Sequence, residues 1–237
     1  MAFNYELNLR SPLTQRSYTE LLDLVAAGGH TTVLDWGCGH GQNSDGLHQR
    51  GLQVSSFDYR PQRSEREADP ESGVKPLPHY PHLEAYIERD DPVALPYDDG
   101  TFDAVLSMGV LEHVGDPDGS LEEIKRVLKP GGTLYVFKLP NRFSYTEKIG
   151  KHTGSYWHGH LPDDRLYTLR SARELVASHG FGITASWRAN MVPLNRTGDR
   201  LPALARPLWT LNRVLERVPV LNLVSTNVEL VAVAPRA

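Results

Sequence analysis

The run Val33-Leu34-Asp35-Trp36-Gly37-Cys38-Gly39-His40-Gly41 constrains the fold of this chain more than any other stretch. Its first half is short and apolar, the pattern of a buried strand over Thr31 to Trp36. Its second half places glycines at 37, 39 and 41, which lets the backbone turn sharply and approach a ligand closely. Gln42 to Arg50 can then carry a helix whose amide-rich N-terminus faces whatever lies over the glycines. Strand, glycine turn and helix in that order imply a nucleotide-type cofactor at the turn. The spacing discriminates among cofactors: a dinucleotide loop needs Gly-x-Gly-x-x-Gly, and position 42 here is Gln. A nicotinamide oxidoreductase is therefore disfavoured.

The alternating run Leu52-Gln53-Val54-Ser55-Ser56-Phe57 reads as a second strand ending in Asp58. A carboxylate there, beside the glycine turn, can accept two hydrogen bonds from a ribose diol. Phe102 to Ser107 reads as a buried strand, and Ser120-Leu121-Glu122-Glu123 as a capping box that starts the next helix. Lys129-Pro130-Gly131-Gly132 stops that helix, and Gly132 to Leu139 is a further apolar strand.

In Asp35, Gly37, Gly39 and Gly41 the chain resembles, position by position, the first motif of the class I S-adenosylmethionine (SAM) dependent methyltransferases. The likeness extends in order from Thr31 to about Asn141, through the Leu-Lys-Pro-Gly-Gly stretch before the fifth strand. It implies an α/β, Rossmann-like three-layer sandwich, with a seven-stranded, mostly parallel sheet whose last strand is antiparallel. It also implies SAM as cofactor. The cofactor-binding set would be Asp35, Gly37, Cys38, Gly39 and Gly41 in the loop, with Asp58 and Tyr59 at the ribose. Asp91, or Asp90 beside it, would meet the adenine, and Ser107, Met108 and Gly109 the methionyl part. Cys38 itself reads as a small packing residue and not as a reactive thiol.

The second half carries the acceptor chemistry. Phe137 to Ser144, Tyr156 to Leu161 and Leu166-Tyr167-Thr168 resemble the ubiquinone-biosynthesis type of small-molecule O-methyltransferase. Methyl transfer from a sulfonium is an in-line displacement, so alignment in a water-poor pocket supplies much of the acceleration. A hydroxyl acceptor also gains from proton removal, for which imidazole is suited. The candidate bases are His158, His160 and His113, with His152 behind them, and Tyr156, Trp157 and Phe143 are candidate walls for the acceptor. His158-x-His160 would share a face on a strand, but no third ligand is defined and no metal site is expected.

Four flanking regions complete a single domain over residues 1–237. Ser11-Pro12 opens a helix to about Ala27, so 1–30 reads as a helical cover over the cofactor cleft. Residues 60–82, rich in proline and charge, read as an inserted loop suited to act as a substrate lid. Leu169 to His179 reads as a sheet-covering helix and Phe181 to Ala189 as a sixth strand. Residues 190–222 form an insert before a seventh strand, Val224 to Val233, which by the family resemblance would insert antiparallel beside the sixth. Within the insert, 201–217 places leucines at helical spacing with arginines on other faces. Three readings compete for it: a cover on the active-site mouth, a dimer surface, or a membrane-surface helix.

A net charge of −4 offers no electrostatic footprint for nucleic acid. The absence of a signal-peptide pattern or an 18-residue apolar stretch makes the cytoplasm the expected compartment. The function expected is methylation of a hydroxyl, second an amine, on a small metabolite. A non-catalytic SAM-fold binding or scaffold protein is the alternative, and the oligomeric state is left open.

Overall fold

The computed structural model describes residues 11–60, 73–153, 164–193 and 202–236. Five strands lie parallel at the centre: β1 (Thr32–Trp36), β2 (Gln53–Tyr59), β4 (Tyr80–Glu88), β5 (Phe102–Met108) and β6 (Leu128–Pro140). Three further strands complete the sheet: β3 (Gly73–Leu77), β7 (Gly182–Ala189) and β8 (Asn227–Val233). The order is β3-β4-β2-β1-β5-β6-β8-β7. β8 runs antiparallel between β6 and β7, as the sequence suggested. The architecture is the Rossmann-like α/β sandwich expected, with eight strands in place of seven.

The extra strand lies inside the expected 60–82 loop. Gly73–Leu77 pairs antiparallel with β4 from Gly73 opposite Ile87 to Leu77 opposite Tyr80. Its proline and short length hid it in the sequence. At a sheet edge Pro76 sacrifices no central ladder bond, so the penalty that argues against proline in strands does not apply.

Helices cover both faces. On one side lie α1 (Pro12–Ala26) and α2 (Gln42–His48); there Leu21, Leu22, Val25 and Leu47 pack with Val33, Leu106 and Phe137. On the other lie α3 (Pro117–Val127) and α5 (Leu169–Ser178); there Leu121, Ile124, Val127, Ala172 and Val176 pack with Leu34, Val105 and Leu134. β1 thus sends alternate side chains into two cores, which is why nearly every residue in it is buried. α1 starts at Ser11, whose hydroxyl accepts from the Thr14 amide with Pro12 in the first turn, as expected. α3 starts earlier than expected: Asp116 caps it by accepting from the Gly119 amide, and Ser120 falls inside the first turn. Two further helices are α4 (Tyr145–Thr153), which follows β6 in the chain, and α6 (Ala205–Glu216), which lies between β7 and β8 in the chain. Strand order reverses between β1 and β5, so the crossovers leave in opposite directions and open a crevice at their carboxyl ends.

Candidate active site

The glycine loop leaves β1 at that crevice. Gly37, Gly39 and Gly41 all take positive φ, at 78°, 54° and 90°, a region that costs other L-residues strain. The amides of Gly37 and Cys38 both donate to the Phe57 carbonyl, which ties the loop to β2. Gly41 is the N-cap of α2. The three glycines differ in what a side chain would meet. A Cβ on Gly37 would lie 2.4 Å from Val110 Cγ2, and one on Gly41 would lie 2.5 Å from Leu77 Cδ1. A Cβ on Gly39 would meet nothing within 4 Å. Two glycines are thus required by packing, and the middle one borders open space.

Asp35 sits beneath this loop, 1 % exposed, and accepts a 2.6 Å hydrogen bond from Ser44 Oγ in α2. Ser44 Oγ in turn accepts from Ser56 Oγ at 2.8 Å. Burial raises the Asp35 pKa to about 7, with Asp58 adding to the rise and Ser44 opposing it. Its carboxyl therefore fastens α2 and β2 to the end of β1. The Cys38 side chain packs among Leu77, Leu83, Ala85 and Ile87, and burial pushes its thiol far up, which leaves it chemically quiet.

Asp58 stands at the carboxyl end of β2 as expected. Arg60 Nε donates to its Oδ2 at 3.1 Å and Arg60 Nη2 donates to the Gly39 carbonyl at 2.7 Å, so one guanidinium bridges the acid and the glycine loop. Tyr59 packs against the core beneath. Asp91 Oδ1 accepts from the amides of Val93 and Ala94, and those two bonds lower its pKa. Its oxygen shapes the turn after β4, while the neighbouring Asp90 is exposed.

At the end of β5, Ser107 is 1 % exposed and its Oγ has no hydrogen-bond partner in the chain. Gln42 Oε1 and Asn43 Oδ1, in the first turn of α2, are also buried without a partner. Three orphaned polar atoms thus flank the glycine loop, although buried polar groups normally find partners. Met108 is buried beside them, and Gly109 has φ 71° and donates its amide to the Phe137 carbonyl. An open-sided glycine, an acid at a strand end and orphaned amide and hydroxyl oxygens fit a ligand bearing both hydroxyl and ammonium groups.

Just beyond lies His113. Its Nδ1 is 2.7 Å from Asp164 Oδ1, whose side chain is 2 % exposed, and its Nε2 is 3.8 Å from Glu112 Oε1. The imidazole is part-exposed against a buried carboxylate, which fixes its tautomer and direction. The Arg165 amide donates to the Glu112 carbonyl at 2.9 Å and its guanidinium to the carbonyls of Val114 and Gly115, which anchors Asp164 beside the histidine.

His158 and His160, with Tyr156 and Trp157, lie outside the described residues. His152 ends α4 with Nδ1 on the Lys148 carbonyl, and Phe143 is 47 % exposed, so neither is gathered into the crevice. No cluster of three metal-ligating side chains occurs among the described residues. The sequence reading missed Asp164, Arg60, Gln42 and Asn43. It also missed Lys138, at positive φ (64°), whose amide donates to Glu229 Oε2 at 2.6 Å and whose ammonium donates to Ser17 Oγ. Burial raises the Glu229 pKa to about 7. A lysine interrupting the apolar run of β6 was the available signal.

The geometry agrees with comparisons to known proteins. Residues 34–136 match the family model described as a methyltransferase domain. The chain is 33% identical over 138 residues to the ubiquinone biosynthesis O-methyltransferase of Xanthomonas oryzae pv. oryzae, covering 56% of this chain and 52% of that one. It is 37% identical over 116 residues to the 2-methyl-6-phytyl-1,4-hydroquinone methyltransferase of Synechocystis sp., covering 48% and 33%. The chain thus spans about half the length, or less, of these curated relatives. Among solved structures it shares the fold of a SAM-dependent methyltransferase from Thermotoga maritima, described as a possible histamine N-methyltransferase, with TM-score 0.58, 16% identity and coverage of 92% and 89%. The segment from Leu34 to Val136 that matches the methyltransferase-domain model is the one that holds the glycine loop and the ends of β1, β2 and β5.

Proposed function

We propose that this protein transfers the methyl group of SAM to a hydroxyl on a small, ring-bearing acceptor of the quinol kind. The carrying observation is the glycine loop, whose middle glycine leaves room for an added Cβ, together with Asp58 at the end of the neighbouring strand and the unpartnered buried oxygens of Ser107, Gln42 and Asn43. The quinol class rests on the names of the curated relatives, two of which act on quinone-type compounds. When bound, SAM supplies a methyl carbon activated by its sulfonium.

In this reading the chain's residues do four things. The backbone at Gly37 to Gly41 and the N-terminus of α2 cradle the amino-acid end of the cofactor, with Gln42 and Asn43 accepting from its ammonium. Asp58 accepts from the ribose diol once Arg60 yields part of its contact. Ser107 to Gly109 line the wall beside the reacting centre. His113 would take the acceptor's hydroxyl proton on Nε2 as the methyl carbon breaks from sulfur and bonds to the acceptor oxygen, leaving the thioether, and Asp164, bonded to Nδ1, orients the ring and would steady its positive charge.

A thermal-shift titration with SAM, S-adenosylhomocysteine and NADH tests the cofactor half, and stabilisation by NADH alone refutes it. Incubation with labelled SAM and a panel of catechols, hydroquinones and arylamines tests the acceptor half. A mass gain of one methylene on the hydroxyl compounds is expected. Binding of SAM without turnover of any acceptor would favour a non-catalytic binding protein.

A further inference from the structure

We infer that α6 and the turn after it form a docking surface for an anionic phospholipid bilayer. Eleven large apolar side chains are exposed among the described residues, and seven of them fall between 204 and 223: Leu204, Leu211, Val214, Val218, Val220, Leu221 and Leu223. Scattered exposed apolar residues need no explanation, but concentration in the stretch from 204 to 223 does.

The helix presents three distinct faces. At 100° per residue, Ala205, Trp209, Asn212 and Glu216 share the face turned to the protein. Trp209 packs there with Leu13 and Val192, and Asn212 Oδ1 accepts from the amides of Met191 and Val192. Arg206, Arg213 and Arg217 form a second, exposed row. Leu211, Val214 and Val218 form the third, three and four residues apart, continued by Leu204 seven residues before Leu211 and Leu221 three residues after Val218. The inward face is complete, so the outward apolar row is not needed for packing. The leucine stripe read in the sequence as one surface is divided by the fold between a core contact and an exposed ridge.

Charge decides the occupant. The one acid in the helix, Glu216, turns inward, where its Oε1 accepts from the Asn190 amide and from Asn212 Nδ2. Its Oε2 pairs with Arg213 at 2.9 Å and Glu20 lies 3.9 Å from the same guanidinium, so the charges the row offers to a partner are those of Arg206 and Arg217, which form no ion pair among the described residues. Antiparallel pairing with a second copy would set arginines against arginines, which is unfavourable. A surface of lipid phosphates satisfies the arginines while the apolar ridge enters the headgroup boundary. No helix among the described residues is long and apolar enough to cross a membrane, so the contact is with the surface. Docking this way brings the sheet edge near the lipid, because Asn141, just beyond β6, donates to the Leu223 carbonyl.

Co-sedimentation of the full chain with vesicles tests the inference, and it is independent of SAM or turnover. Binding is expected to phosphatidylcholine vesicles containing phosphatidylglycerol, weakly or not at all to phosphatidylcholine alone, and with loss as salt rises. Replacing Arg206 and Arg217 by Gln should weaken binding about thirtyfold, from roughly one kcal/mol per arginine near an anionic surface. Leu211→Asp with Val214→Asp should abolish it while circular dichroism and melting stay unchanged. Failure to bind either vesicle overturns the inference. So does a lipid-free dimer in sedimentation velocity that the same aspartates dissociate, since the ridge would then belong to a second copy.

Discussion

Alanine at Gly39 separates a glycine kept for folding from one kept for a ligand. Gly39 lies at φ 54° and an added Cβ meets nothing within 4 Å. The folding cost is then only that of holding a left-handed alanine, roughly 1–2 kcal/mol. In a chain of this length that lowers the melting temperature by about 2–8 °C. Gly37 pays the same conformational cost and also drives a methyl to 2.4 and 2.5 Å from the two γ-carbons of Val110. Overpacking adds roughly 1–3 kcal/mol, so Gly37→Ala should be clearly less stable than Gly39→Ala. Cofactor affinity should rank otherwise: a methyl at position 39 stands in the space assigned to SAM and should weaken binding about tenfold to a hundredfold by the same overpacking range. Differential scanning calorimetry gives the first ranking and isothermal titration with SAM the second. A well-folded Gly39→Ala variant that binds SAM with unchanged affinity refutes the placement of the cofactor over this loop.

Four further expectations follow from the same geometry. Asp58→Ala should weaken SAM binding by about 2–4 kcal/mol in calorimetry, because two hydrogen bonds to a charged acceptor are lost; unchanged affinity removes Asp58 from the ribose site. His113→Gln should lower kcat by about two to four powers of ten with SAM affinity preserved. Asp164→Asn should lower kcat by less, leave KM for the acceptor near its original value and alter the pH–rate profile; an unaltered profile would make the aspartate a structural contact only. Asp35 is an acid whose folded pKa, about 7, lies above its ordinary 3.8. Its contribution to stability is therefore full below about pH 4 and is lost as pH rises toward 7 and beyond. At about 1.4 kcal/mol per pH unit, a gap of roughly three units is a few kcal/mol at most. In urea melts at pH 5.5 and pH 8, Asp35→Asn should flatten the pH dependence of stability, and an unchanged slope would refute the assignment.

What the sequence disclosed and what it hid divide along chain separation. The glycine loop, Asp58 and the start of α1 depend on dihedral preference, strand alternation and capping, each set within a few residues. Arg60, Gln42 and Asn43 escaped notice although they adjoin the motif, whereas two other missed features are pairings across long separations. Asp164 meets His113 across 51 positions and Glu229 meets Lys138 across 91. No periodicity announces such contacts. For Asp35 and Asp91 the motif identifies the residue but not the partner its oxygens take within the chain. One bonds to Ser44 in the core and the other to two amides of its own turn. The short β3 escaped because a proline that argues against a central strand says nothing against an edge one.

The clamping of residues 164–167 bears on how the proposed reaction is controlled. The Arg165 amide donates to the Glu112 carbonyl, which follows β5, while the Tyr167 amide donates to the Pro140 carbonyl, which ends β6. The Arg142 amide returns the contact by donating to the Tyr167 carbonyl. The carboxylate that orients His113 is therefore hung from two strand ends, one of which carries Ser107 to Gly109. A group that displaces this short segment moves the base relative to the reacting centre without touching the glycine loop. In-line transfer is sensitive to such displacements, since small errors in alignment cost large factors in rate. Substitutions at Arg165, whose guanidinium holds the carbonyls of Val114 and Gly115, should accordingly lower turnover while SAM binding is kept. An Arg165→Ala variant that lost SAM affinity in proportion to its rate would show that the two halves of the site are not separable, and the division of labour between loop and base would fall with it.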